Sequence, residues 1–425
     1  MPISNFQILL VACVFTAATA ASVRAESSGA SPPLTVESAI AEALSQSPAL
    51  KVTAAEIESA QGEVVSAQSR PPSELTFSPG VRRLRETEGA QHELIGSVEW
   101  SHTIVFPGKR ELLVSIVERN VALRRLASDG LRFQVAAAVR KAFYELLAAQ
   151  SVIEVRRQQL ASAETFQQAA AKRVESGYAS DFEAVKSQGD VINARKLLLG
   201  AEGNIAAGKI ELNALLGREP SAPVEVAGNL AETDGNRPVP DLVALAITDN
   251  PSLKAQELQA EIAGLNVRKA RLARKPDWTV GPSLELSRSE QILGLSASVP
   301  LPSKNYGRGE VMSATAEERK AQAERERLRR EIVGAVTKAA SQLDVARQQL
   351  AVYSPAYLDR LKTVVQEAEQ SYARNATSLL IYLDAKRTYF DTLADYYQAI
   401  ATVASNRAAL ESAVGVPLET KPSQL

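Results

Sequence analysis

The chain has 425 residues, 45% of them apolar, and a formal net charge of −1, so it can bury a sizeable core but carries no basic field for nucleic acid. Its one cysteine, Cys13, excludes a disulfide framework. Aromatic residues are scarce at 5% and alanine is abundant, a composition suited to helices that approach closely.

Residues 1–25 read as an export signal, because Ile8 to Ala21 are mostly apolar yet too few for a permanent membrane anchor. "SVRAES" places small residues at Val23 and Ala25, which favours cleavage after Ala25. A second reading remains, since "LVAC" ending at Cys13 is similar to a lipoprotein cleavage box. Either way the chain leaves the cytoplasm. Further along, no run of about 18 apolar residues predicts a membrane-spanning helix.

Two halves then follow one grammar. "ALSQSPALK" (43–51) returns as "AITDNPSLK" (246–254), and Pro71 returns as Pro276. Ser47-Pro48 and Asn250-Pro251 each predict a helix start: a capping side chain, then a proline whose missing N–H costs nothing at the first helical position. These helices run to about Arg70 and Lys275. The periodicity then changes to two. Leu75, Phe77 and Val81 alternate with Thr76, Ser78 and Gly80; Leu94, Val98, Trp100 and Ile104 alternate with Ser97, Glu99, Ser101 and Thr103. Strands are therefore expected at 74–84 and 93–105, with "RRLRETEGAQHE" (82–93) as an external loop.

The second half repeats this at 277–288 and 291–302, where Trp278, Val280, Leu284, Leu293, Leu295, Val299 and Leu301 mark the apolar face. Strands of roughly ten residues with one apolar face fit a membrane barrel. Strands of a soluble sheet packed on helices are the competing reading.

A long helical stretch is predicted after each strand pair, over 109–176, which has no proline, and over 308–374. Val135, Val139, Ala142, Leu146 and Ala149, then Ile332, Val336, Ala339, Leu343 and Ala346, give each an apolar seam at 4–3 spacing. A helix of about 100 Å with such a seam needs partner helices along its length. Return helices over 180–216 and 378–414 supply them. In "RVESGYASDFEA", Gly177 ends a helix in the left-handed conformation and Ser180 with Glu183 forms a capping box for the next. In "SYARNATSLLIYLDA", Asn375 and Ser378 hold the same places, although Ile381 cannot complete a box. Two antiparallel coiled hairpins result. Pro355 interrupts the second long helix where the first has Arg157, and it predicts a kink there.

Domain organisation follows: a first repeat over 26–216, a Pro- and Gly-rich linker over 217–240, a second repeat over 241–415 and a tail over 416–425. A period of about 200 residues marks a duplication; solenoid repeats are far shorter. Four barrel strands from one chain cannot close, and open edges in hydrocarbon leave N–H and C=O groups unpaired, so several copies must share one barrel. No motif for a zinc protease, phosphate loop or nucleophile elbow is present, and His92 and His102 are too few for a metal relay. Neither catalysis nor a cofactor is expected.

The two repeats, the "SPAL" and "NPSL" helix starts, "FPGKR" (106–110) and "SLLIYLDAKRTYFDTLADYYQA" resemble the TolC family over nearly all of the mature chain. "PGKR" after the second strand is similar to the heavy-metal exit ducts of that family. The resemblance implies a mainly helical fold with membrane β: a trimeric helical barrel joined to a shared 12-stranded outer-membrane barrel. It implies a homotrimer in outer-membrane lipid, a periplasmic adaptor, and an inner-membrane RND transporter. It also implies that Gly177, Ser180, Asn375 and Ser378 mark the tips that meet the adaptor, with Asn375 standing where the family usually has glycine. Asp384, in "YLDA", matches an acidic position facing the tapered pore, where three copies would form a carboxylate ring. An ordinary solvated helix carboxylate is the alternative. Cargo is expected to be heavy-metal cations, with drugs or a secreted protein as rivals; a pore-free periplasmic scaffold is a rival of another class.

Overall fold

The computed structural model describes residues 33–418 except 87–88, 179, 230–236, 289 and 302, with side chains of 84–91 also left aside. The export-signal reading of 1–25, the Cys13 alternative and most of the tail lie outside those residues. Contacts separate Met1–Pro33 from a unit holding Leu34–Leu425, to which every element below belongs.

That unit begins with α1 (Val36–Gln46) and α2 (Pro48–Gln68), followed by β1 (Glu74–Glu86) and β2 (Gly89–Ile104). Helix α3 (Lys109–Glu175) is 67 residues long and unbroken, about 100 Å at the usual rise, and α4 (Asp181–Leu216) returns along it. The order then recurs: α5 (Val239–Asp249), α6 (Pro251–Ala273), β3 (Trp278–Leu286), β4 (Gln291–Ser298), α7 (Arg308–Ala351), α8 (Pro355–Ala373) and α9 (Leu379–Val414). No described helix is long and apolar enough to cross a membrane.

Buried side chains hold the helices together. One cluster joins Ala39 and Ala43 of α1 to Val139, Phe143 and Leu146 of α3 and Leu212 and Leu216 of α4. Another joins Leu242 and Ala246 of α5 to Val336 and Leu343 of α7 and Val403 and Leu410 of α9. Each fully buried leucine or phenylalanine contributes about 1.5–3 kcal/mol, so these seams dominate helix docking. Asn213, fully buried on α4, donates to the carbonyls of Pro220 and Ala222 and fixes the start of the linker.

The four strands form one antiparallel sheet in the order β1-β2-β3-β4. Register sets Leu75 opposite Trp100, Phe77 opposite Val98, Val98 opposite Leu284 and Leu284 opposite Leu293, all on one face. Arg82, Glu99, Ser283, Glu285 and Ser296 share the other, where Arg82 pairs with Glu285 at 3.1 Å and Ser296 donates to Glu99 at 2.6 Å. Among the described residues no helix packs on the apolar face, and Leu94, Leu293 and Leu295 are at least 80% exposed. A soluble sheet buried under helices is therefore excluded as a description of this chain. A continuous apolar face of this kind is solvated by lipid.

Several expected boundaries move, each for a local reason. β1 and β2 extend through most of the proposed loop 82–93, because Arg82 lies opposite Glu93 and Arg83 opposite His92 in an uninterrupted ladder. β4 stops at Ser298, so Val299 and Leu301 are not strand residues; Pro300 has no N–H to offer a ladder. Ser47 makes no side-chain cap, whereas Asn250 accepts from the N–H groups of Ser252 and Leu253.

The largest correction concerns 308–374. The expected single kinked helix is two helices, broken at Val352–Ser354. Ser354 caps the second through its hydroxyl, which accepts from Tyr357 N–H, and Pro355 occupies the first helical turn, where its lack of N–H is harmless. Pro355 starts α8; it does not bend a continuous helix.

Gly281 has no room for a side chain, because a Cβ there would collide with the carbonyl oxygen of Trp100. Gly281→Ala is expected to disrupt β2–β3 pairing and lower the yield of outer-membrane protein. Gly62→Ala, on open α2 surface, is expected to be neutral or to stabilise by about 0.5–1 kcal/mol. Equal membrane yields for the two variants would contradict the close approach.

Candidate functional site

The two hairpin tips share one backbone solution. At the first, Tyr178 N–H bonds Arg173 C=O at 2.8 Å and Gly177 N–H bonds Val174 C=O at 2.9 Å, with Gly177 at φ +73°. At the second, Ala376 N–H bonds Ser371 C=O at 2.8 Å and Asn375 N–H bonds Tyr372 C=O at 2.9 Å, with Asn375 at φ +59°. Both are Schellman closures, which satisfy the last helical carbonyls and require a left-handed residue. Asn375 is the only non-glycine at positive φ among the described residues. Asparagine tolerates that conformation, and its side chain gains a partner that glycine could not: Arg173 donates to Asn375 Oδ1 at 2.6 Å. That bond ties one tip to the other.

Behind the bond lies an aromatic cluster. Phe166 of α3 packs on Tyr372 of α8 and Tyr382 of α9 with ring centres 5.5 and 5.2 Å apart, and the two tyrosines stack at 5.7 Å. The Arg173 guanidinium lies 4.8 Å over the Tyr372 ring, and Tyr372 donates to Glu183 Oε2 of α4 at 2.6 Å. Burial first, then the hydrogen bond and charge of Glu183, push the Tyr372 phenol up to about 12, against the opposing charge of Arg173. The phenol's raised value lies above the ordinary tyrosine value near 10, so its contribution is complete below about pH 10 and fades as pH climbs towards about 12.

Lys386 is only 4% exposed, and its Nζ has no hydrogen-bond partner among the described residues. The ammonium sits 5.3 and 5.7 Å from the centres of Tyr382 and Phe166, whose ring faces substitute for part of its lost hydration. Burial pulls its pKa down, while the charges of Asp190 and Glu369 push the other way.

Ser180 and Ser378 both occupy the helix-start position, but only Ser378 uses its hydroxyl, accepting from Ile381 N–H. The expected Ser180–Glu183 capping box does not form. Glu183 turns instead to Tyr372, and Ser180 makes no side-chain cap. Asp384 is exposed on α9, on the side away from buried Tyr382, Leu383 and Lys386. Pro355 lies 20 residues before Asn375, at the far end of α8.

Periodicity alone does not single out Arg173, Tyr372, Glu183, Phe166 or Lys386. One signal was available: in a chain with few aromatics, Tyr372 and Glu183 each lie three residues from a tip marker. Further from the tips, Arg140 pairs with buried Glu411, and Arg156 pairs with Asp391 at 2.8 Å. With Arg173, three arginines of α3 thus reach the second hairpin.

An uncovered apolar sheet joined to helical hairpins defines the class as an outer-membrane channel. Comparison with known proteins gives the family. The profile described as "Outer membrane efflux protein" matches residues 39–218 and again 242–416, and the chain belongs to that family. It resides in the outer membrane, with a large helical part on the periplasmic side, and is a passive channel rather than an enzyme. Among curated relatives, the cobalt-zinc-cadmium resistance protein CzcC of Cupriavidus metallidurans is 26% identical over 87% of this chain and 89% of its own. The probable outer membrane lipoprotein SilC of Salmonella typhimurium is 24% identical over 83% and 79%. In fold the chain is similar to the CusC transmembrane channel, with a TM-score of 0.75, 16% identity and coverage of 90% and 92%. It is likewise similar to the open state of the MtrE channel of Neisseria gonorrhoeae, with a TM-score of 0.73, 17% identity and coverage of 90% and 89%.

Tyr372→Phe keeps the ring stack but removes the bond to Glu183. A loss of about 1 kcal/mol at the tip is expected, read as about fivefold faster amide exchange in 166–183 and 372–383. Unchanged exchange would show that the hydroxyl does not bind the hairpins.

Proposed function

We propose that three copies of this chain form one outer-membrane exit duct, each giving four strands to a 12-stranded barrel and its hairpins to a continuous helical tube. The carrying observation is the sheet itself: β1 and β4 are open edges, and the apolar face is uncovered. The twofold match of the family profile, and the recurrence of the element order, support descent from an internal duplication.

The same reading gives the tips their task. Gly177, Ser180, Asn375 and Ser378 mark the surface offered to a periplasmic adaptor, through which an inner-membrane RND transporter would deliver cargo. Exposed Asp384, repeated three times around the bore, would attract cations. The break before Pro355 would let α8 swing with its tip while α7 stays docked. Metal cations are the favoured cargo, because the relative from Cupriavidus metallidurans is a cobalt-zinc-cadmium resistance protein.

Protein extracted from outer membranes should have the mass of three chains and conduct in planar bilayers. Asp384→Asn should shift the reversal potential in a salt gradient towards zero, and Pro355→Ala should change the fraction of time the channel is closed. A lone, non-conducting chain would overturn the duct; variants identical to the parent would remove the ring and the hinge. Loss of growth on cobalt, zinc or cadmium salts in a deletion strain, with drug tolerance unchanged, would identify the cargo; the reverse pattern would contradict it.

A further inference from the structure

A cavity of about 460 Å³ opens where the strands meet the helices, between the end of α2, the start of α3 and the end of α6. Val105, Leu112, Leu113 and Leu272 give it an apolar floor, in the size range of small-ligand pockets. Its rim is basic. Arg70, Arg110 and Lys269 line it with exposed side chains, and none of the three has an ion pair among the described residues. Lys109 also lines it, but its ammonium is held by Asp277 at 2.8 Å. Among the described residues no acidic side chain lines the cavity.

Its depth along the molecule is marked independently. Trp278 opens β3, and Trp100 stacks on His102 near the end of β2, all on the apolar face of the sheet at this end. Aromatic rings in such positions form the girdle at a membrane–water interface, the level of lipid headgroups. A basic rim over an apolar floor at that level complements an amphiphile with an anionic head.

We propose that this cavity binds an anionic glycerophospholipid of the periplasmic leaflet, with an acyl chain against Leu112, Leu113 and Leu272 and the phosphate held by Arg70, Arg110 and Lys269. The inference rests on the reading that the sheet lies in the membrane. The lipid would seal the seam between barrel and helices, where four chain connections cross from lipid to water.

The test uses the full assembled protein, reconstituted with either phosphatidylglycerol or phosphatidylcholine and examined by native mass spectrometry, with conductance recorded on the same preparations. Phosphatidylglycerol should be retained and phosphatidylcholine lost. Arg70→Gln with Lys269→Gln should weaken retention about tenfold or more. Leu113→Trp, which fills the floor, should weaken it with the charges intact. Millimolar inorganic phosphate should not displace the lipid. Equal retention of both lipids, or retention unchanged in the double variant, would overturn the lipid site while conductance leaves the barrel standing. Displacement by phosphate alone would mean a phosphate site and overturn the proposal. Failure to insert or conduct at all would overturn both readings.

Discussion

Every edge strand of an open sheet leaves alternate N–H and C=O groups without partners, and hydrocarbon supplies none. In this chain the edges are β1 and β4, and the face that register assembles from Leu75, Phe77, Leu94, Leu284 and Leu293 has no helix over it. Water would penalise that face, and lipid would penalise those edges. Both costs vanish if identical sheets join edge to edge around a closed wall. Among the described residues the helices dock chiefly on each other and leave the sheet uncovered.

The helices divide the work between apolar seams and directed polar ties. Leucine, valine and alanine clusters near the α1 and α5 ends set which helices pair. Towards the tips the chain relies on arginines of α3 and on stacked aromatics, whose geometry is more specific than that of aliphatic contacts. A seam tolerates small slips. A bond such as Arg173 to Asn375 does not, so it fixes one tip against the other.

Much of this architecture was legible because it is periodic. Alternation along 94–104 and 278–286 reveals strands whatever their partners, and the proline-free seam of α3 reveals a helix of the length observed. Gly177 and Asn375 announce turns through backbone chemistry alone. What escaped was decided by competition or by distance. Glu183 has two suitors, its own helix start and the Tyr372 hydroxyl, and only the folded chain decides between them. Pro355 is equally compatible with a kink and with a fresh start, and Ser354 settles the matter by capping. Phe166, Tyr372 and Lys386 meet only because α3, α8 and α9 converge, which no local pattern encodes.

The central claim is that like sheets close one wall, and trapping their edges tests it most directly. Single cysteines at Thr76 or Ser78 of β1, combined with cysteines at Gly294, Ser296 or Ser298 of β4, can be oxidised in intact outer membranes, in a chain whose only native cysteine is Cys13. Edge-to-edge closure predicts covalent trimers on denaturing gels for at least one pairing, lost when either cysteine is absent. Monomers alone across the whole set, from protein that is folded and membrane-inserted, would contradict it.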